Sequence, residues 1–236
     1  MAIPKKIHIT WKDKNILDSD SPLVQNGISK LISINKEWQV EISDDNDVEN
    51  YLIENMKDNY TLVQNSGIVP KTDIWRLYKI YNEGGIYVDL DRFCDVELNE
   101  VIPENVKQVL PTCRKHDFSQ DIMISEPNNI LFRNTIDMHI HRRRLGYTHT
   151  YFLGAQTYMH AITYTFFGKI IDINPGEQIF DDIIKEINKS KDIMTFEENP
   201  PYYTFLYRGN ENKEDWETLK KQLYKDYNMK HWTGEW

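Results

Sequence analysis

The 236-residue sequence predicts an α/β fold, with a mostly parallel central sheet flanked by helices. Strand-like and helix-like segments alternate over residues 7–56, the rhythm of parallel α/β folds. A helical pattern then ends in Gly84-Gly85 and gives way to a short apolar run closed by two acids. A 40% hydrophobic and 12% aromatic composition supplies a core of real size and excludes a disordered chain.

In chain order, Ile7-His8-Ile9-Thr10-Trp11 follows Pro4 and alternates as an opening strand. Leu23, Val24, Ile28, Leu31 and Ile32 recur at helical spacing over 22–34, and 38–42 alternates as a second strand. The segment 44–56 begins with acids, as suits a helix N-terminus, and continues through Val48, Leu52 and Ile53. Thr72 or Asp73 is placed to cap a further helix whose stripe is Ile74, Leu77, Tyr78 and Tyr81. The double glycine supplies the left-handed stop. Ile86-Tyr87-Val88 reads as a buried strand ending in Asp89-Leu90-Asp91, and the carboxyl ends of strands are where open α/β sheets bind ligands. Ile122-Met123-Ile124 is another core strand, and 155–167, 176–189 and 216–227 are helical, the last carrying Leu219, Leu223 and Tyr227. No repeat or linker divides residues 1–236, which predicts one domain.

Charge and targeting signals narrow the function. Asp and Glu number 37 against 28 Lys and Arg, a net charge of −9 that argues against nucleic acid as a partner. No run approaches the ~18 apolar residues of a membrane span. The first ten residues lack an apolar signal core, so a soluble, cytoplasmic protein is expected. Cys94 and Cys113 fit neither a disulfide framework nor a zinc spacing.

The acidic pair carries the chemistry. Carboxylates two residues apart on an extended backbone project to one side and repel each other, so a cation should neutralise them. A hard divalent ion, Mn²⁺ or Mg²⁺, suits oxygen ligands and keeps positions open for phosphates. It would also invert the local field, letting a chain at −9 accept an anionic nucleotide diphosphate.

The stretch Thr72-Asp73-Ile74-Trp75-Arg76 through Asn82-Glu83-Gly84-Gly85-Ile86-Tyr87-Val88-Asp89-Leu90-Asp91 closely resembles the signature of glycosyltransferase family 32. That is the sugar-binding-region family with an Asp-x-Asp motif, which includes mannosyltransferase-like enzymes and relatives of the clostridial glucosylating toxins. The opening 3–11 resembles its first strand, with Ile9 where Gln is usual, and His231-Trp232-Thr233-Gly234-Glu235-Trp236 resembles its C-terminal close, with Glu235 in place of Ser.

The resemblance implies a GT-A fold, a UDP- or GDP-sugar donor, a glycan or glycoconjugate acceptor, Mn²⁺ (or Mg²⁺) and retention of anomeric configuration. Carried over by position, Thr10 and Trp11 lie beside the base, and Asp73 and Arg76 contact the donor sugar, with Arg76 also near phosphate. Gly85 and Leu90 line the donor. Asp89 contacts ribose and metal, Asp91 and His231 ligate the metal, and Trp236 donates to the diphosphate. Asp91, Arg76 and Asp121 are the catalytic candidates, Asp121 as a contact to the donor sugar. Residues 228–236, with a histidine and two tryptophans, read as a lid over the donor.

The same residues bear on other readings. A basic island, His139, His141, Arg142, Arg143, Arg144 and His149, suits an acidic acceptor or a solvated helix face. Gly154-Ala155-Gln156 resembles the family's turn over the acceptor side. The aromatics of 200–207 suit sugar stacking or a strand core. A haloacid dehalogenase-type phosphatase needs Thr or Val where Phe93 stands. A non-catalytic sugar-binding module sits poorly with a complete set of Asp73, Arg76, Asp89 and Asp91.

Overall fold

The computed structural model describes residues 3–113, 117–118, 120–173, 178–197 and 213–230. Strand β1 (Lys6–Thr10) leads to a helical stretch of α1 (Pro22–Val24), a π-helical turn (Gln25–Ser29) and α2 (Lys30–Ile34). Strand β2 (Gln39–Ser43) and α3 (Asp45–Met56) follow, then α4 (Ile68–Glu83), β3 (Gly85–Val88) and α5 (Leu98–Val101). The second half adds β4 (Gln108–Cys113), β5 (Asp117–Phe118), β6 (Ile122–Ser125), α6 (Ile130–Arg144), α7 (Thr150–Leu153), α8 (Ala155–Phe167), α9 (Gln178–Ile187), β7 (Ile193–Glu197) and α10 (Lys213–Asp226).

The strands form one sheet in the order β2-β1-β3-β6-β4-β5, with β7 beside β4. β1 pairs parallel with β2 and β3, and β4 parallel with β7; β6 runs antiparallel to both β3 and β4. Period-two alternation splits the core between the faces. Ile7, Ile9, Ile86, Val88, Ile122 and Ile124 pack with the 22–34 helices and with Leu223 of α10. Tyr87 and Met123 face the opposite way, toward α3, α4, α6, α8 and α9.

Local chemistry explains most boundaries. Asp44 caps α3 by accepting from Asn46 and Asp47 backbone N–H groups, while the Asp47 side chain accepts from Asp44 N–H, a reciprocal capping box. Helix α4 starts one turn before the expected Thr72-Asp73 cap, with Gly67 as N-cap. Pro70 is tolerated there because first-turn N–H groups have no intrahelical acceptor. Gly84 and Gly85 then adopt φ of +66° and +94°. A Cβ on Gly85 would sit 2.6 Å from Lys6 O, so glycine is what lets β3 lie directly against β1.

Candidate active site

β3 delivers the acidic pair to the end of the sheet, but the backbone does not stay extended through it. Arg92 N–H donates to Asp89 O at 3.1 Å, closing a turn over Asp89-Leu90-Asp91-Arg92. Asp89 N–H donates to Asp121 O at 2.9 Å, tying the turn to the chain just before β6. Arg92 and Asp121 add a buried ion pair. On the other side Gly27, in the π-helical turn, lies so close that a Cβ would be 3.0 Å from Arg92 O. The turn is therefore held from both flanks.

The two carboxylates diverge in their partners. Asp89 accepts from the Tyr87 hydroxyl at 2.5 Å and lies 3.7 Å from Arg76 Nη1. Asp91 accepts from Lys220 Nζ of α10 at 2.6 Å, with side chains 9% and 15% exposed, and Trp216 Nε1 donates to the Asp91 carbonyl at 3.1 Å. They remain neighbours electrostatically. Burial first, and then the charges of both Asp91 and Asp89, raise the pKa of the Tyr224 phenol.

Asp73 and Arg76, one turn apart on α4, are both buried and form an ion pair. Arg76 Nη2 also donates to Gln120 Oε1 at 3.3 Å, and the guanidinium lies 5.4 Å over the Tyr87 ring. Burial opposes the Arg76 charge, but Asp73, Tyr87 and Asp89 outweigh it and its pKa is raised. Burial pushes the Asp73 carboxyl up, against the pull of Arg76. Burial, then the Asp89 charge, drives the Tyr87 phenol well above its usual range, so it stays a donor to Asp89.

These groups open onto one cavity of about 470 Å³, which Thr10, Trp11, Leu90, Asp121, Gly154 and Ala155 also line. Thr10 lies beside Tyr87, and Trp11 is met edge-on by Tyr224 and Tyr227, each 5.6 Å away. Gly85, expected beside the donor, does not line the cavity: it opens β3 at the opposite end from the acids, and the space beside it is filled by the β1–β3 contact. Two buried nitrogens at the cavity, Arg76 Nε and Trp11 Nε1, have no hydrogen-bond partner among the described residues. The sequence reading missed Lys220, Gln120 and the Tyr87 hydroxyl. His231, Trp236 and the 200–207 aromatics lie outside the described residues, as does most of the 228–236 lid.

As ligands for a divalent ion, Asp89 and Asp91 would offer hard oxygens, and the ammonium held at Asp91 shows that this carboxylate takes a cationic partner. A different group, His8, Glu41 and Glu83, also brings ligand atoms within 4.8 Å of one another. Its charges are met by lysines: Lys79 bonds both glutamates at 2.8 and 2.7 Å, and Lys6 bonds Glu83 at 3.0 Å.

The segment that carries α4, β3 and the acidic turn has a known counterpart. Residues 21–107 match the family of the glycosyltransferase sugar-binding region containing the DXD motif. The match includes Asp73, Arg76 and the DXD acids Asp89 and Asp91; Thr10, Trp11, Asp121 and Lys220 lie outside it. The solved structure of PaToxG glycosyltransferase is similar with a TM-score of 0.53 at 18% identity, over 70% of this chain and 70% of that one. The α/β architecture is thus of the GT-A type, the fold of that structure. No curated protein matches the chain.

The basic island has structural occupations. Arg142 Nη1 donates to Phe152 O and Thr157, its Nη2 meets His160 Nδ1 at 2.6 Å, Arg143 reaches Ser66 and Arg144 reaches Asn59. His139 is fully buried against Leu153 O. Gln156 turns to Arg142, while Gly154 and Ala155 do line the cavity. Among the described residues no helix is long and apolar enough to cross a membrane.

Proposed function

We propose that the chain is a metal-dependent, retaining glycosyltransferase that moves a hexose from a nucleoside diphosphate sugar to a carbohydrate-type acceptor in the cytoplasm. Residues 1–236 act as one catalytic domain, with 228–236 closing over the donor. The observation that carries this reading is the DXD turn: two carboxylates at the mouth of β3, one already holding a half-buried ammonium, facing a cavity of about 470 Å³. Two buried donors beside it, Arg76 Nε and Trp11 Nε1, suit an oxygen-rich ligand.

Asp89 and Asp91, with His231, are the residues that would hold Mn²⁺ or Mg²⁺. When bound, the ion supplies Lewis-acid stabilisation of the departing diphosphate. Arg76 presents a planar fork of donors to phosphate or sugar hydroxyl oxygens, and Asp73 fixes its plane while accepting from a hydroxyl. Tyr87 orients Asp89 through its short hydrogen bond. Trp11 and Thr10 would border the base, Leu90 shapes the wall and Asp121 would reach the sugar, with Trp236, outside the described residues, as the further donor to the diphosphate. Positive charge developing at the anomeric carbon is matched by the carboxylates lining the cavity.

The test is a thermal-shift and hydrolysis panel of UDP- and GDP-sugars, each with Mn²⁺ and with chelator. Metal-dependent stabilisation by one nucleotide class and slow release of its free sugar are expected. A response to glycan alone, indifferent to chelator, would instead mark a sugar-binding module.

A further inference from the structure

We propose that Lys220 is a tethered counter-ion that a divalent cation must displace from Asp91, so that the cation is taken up together with the nucleoside diphosphate and not alone. The proposal rests on Asp91 as a metal ligand.

The Lys220 ammonium is 2.6 Å from Asp91 Oδ2, in a setting where the two side chains are 15% and 9% exposed. It is held there by aromatic faces as well, 5.0 Å over Trp216 and 5.9 Å over Tyr224. Its helix is anchored independently: Leu223 is buried in the core, and Lys12 Nζ donates to Tyr227 O at 3.1 Å just beyond the helix end. Lys220 is thus delivered to the acid by a packed element and does not drift in from solvent.

A divalent ion on Asp91 would stand against that ammonium inside a partly desolvated cavity. Like charges in such a place repel strongly, so the ammonium opposes the ion at that carboxylate. Among the described residues around the turn, Asp73, Asp89 and Asp91 face Arg76 and Lys220, with Asp121 matched by Arg92 and Arg143 adding positive charge near Asp73. A divalent ion alone leaves that set with excess positive charge, whereas an ion arriving with a diphosphate does not. The flexible lysine stem then lets the ammonium leave Asp91 for a phosphate oxygen. Lys220 is a positioning residue of cation uptake, and it makes loading of the metal and of the donor cooperative.

Mn²⁺ binding to the full chain, read from the electron paramagnetic resonance of free Mn²⁺ with and without UDP or GDP, tests this without any turnover. Wild type should bind Mn²⁺ weakly alone and at least ~10-fold more tightly with one of the two diphosphates, within the usual range of coupling between sites. Lys220→Met should bind Mn²⁺ alone at least ~10-fold more tightly than wild type, with a smaller gain from the diphosphate. Lys220→Gln serves as the second variant should the first fail to fold, judged by circular dichroism. Equal or weaker Mn²⁺ binding by the folded variants overturns the proposal. Asp91→Asn separates the two readings: undiminished Mn²⁺ binding there removes Asp91 as a ligand and with it the metal assignment. Lost binding in Asp91→Asn beside an unchanged Lys220 variant refutes only the role of Lys220.

Discussion

Arg92 and Asp121 form an ion pair behind the DXD turn, with side chains only 1% and 9% exposed. The contact joins the turn to the segment before β6, in parallel with the backbone bond from Asp89 N–H to Asp121 O. Asp121, expected to touch the donor sugar, is therefore also a fastening of the motif itself.

Removing one member of such a pair leaves a buried charge less well compensated. Asp121→Asn should cost about 3 kcal/mol in urea or guanidinium denaturation. The double replacement Asp121→Leu with Arg92→Met should recover much of that loss, because two apolar groups of similar bulk need no solvation. Wild-type stability in Asp121→Asn would show that the pair does not hold the turn.

Gly85 gives a second stability prediction. Its φ is +94°, and a Cβ there would meet Lys6 O at 2.6 Å and Lys6 Cβ at 3.0 Å. The obstacle is backbone, so no side chain can swing aside. Gly85→Ala should destabilise the chain by at least about 2 kcal/mol, from strain and from separation of β1 and β3. Its donor affinity should fall as well, since β3 sets the position of the DXD turn; the midpoint of denaturation and nucleotide binding are the two measurements.

How much of this was legible in the sequence follows the range of the interactions. Asp73, Arg76, Asp89 and Asp91 lie in one continuous helix–glycine–strand segment, so spacing alone brings them together. Lys220 lies 129 residues from Asp91 and reads as one more lysine on the polar face of an amphipathic helix. Helix α6 is not legible locally because Thr135 and His139 interrupt its buried stripe of Leu131, Phe132, Ile136 and Ile140. The antiparallel course of β6 is equally invisible to a local pattern, which fixes which face a residue takes but not the strand's direction. The expectation of an extended Asp-x-Asp failed because a turn hydrogen bond closes over it.

His139 predicts a pH dependence. It is fully buried, with Nδ1 3.0 Å from Leu153 O, and burial first, then the nearby Arg143 charge, lowers its pKa to about 3. In the unfolded chain it titrates near ~6.5. The unfolded state therefore takes up a proton first as pH falls, so stability present above ~6.5 is lost on acidification toward the folded value. Between pH 6 and 5 few carboxylates titrate, and the slope should approach about 1.4 kcal/mol per pH unit. His139→Gln should flatten that slope, as read by denaturant midpoints at pH 7, 6 and 5. An unchanged slope would place the responsible proton elsewhere.

Asp91→Ala tests the proposed catalytic role directly. The substitution removes the carboxylate at the mouth of β3 and takes away the partner of the Lys220 ammonium. Turnover of the sugar nucleotide in Mn²⁺ should fall at least ~100-fold, equivalent to about 2.7 kcal/mol of barrier. Folding should suffer far less than in Asp121→Asn, because Lys220, 15% exposed and on a flexible stem, reaches water more readily than Arg92 at 1% exposure. The comparison of the two aspartates therefore separates chemistry from scaffolding: one loses rate with stability largely kept, the other loses stability first. Near-normal hydrolysis by Asp91→Ala would remove this acid from the reaction, whatever the state of the fold.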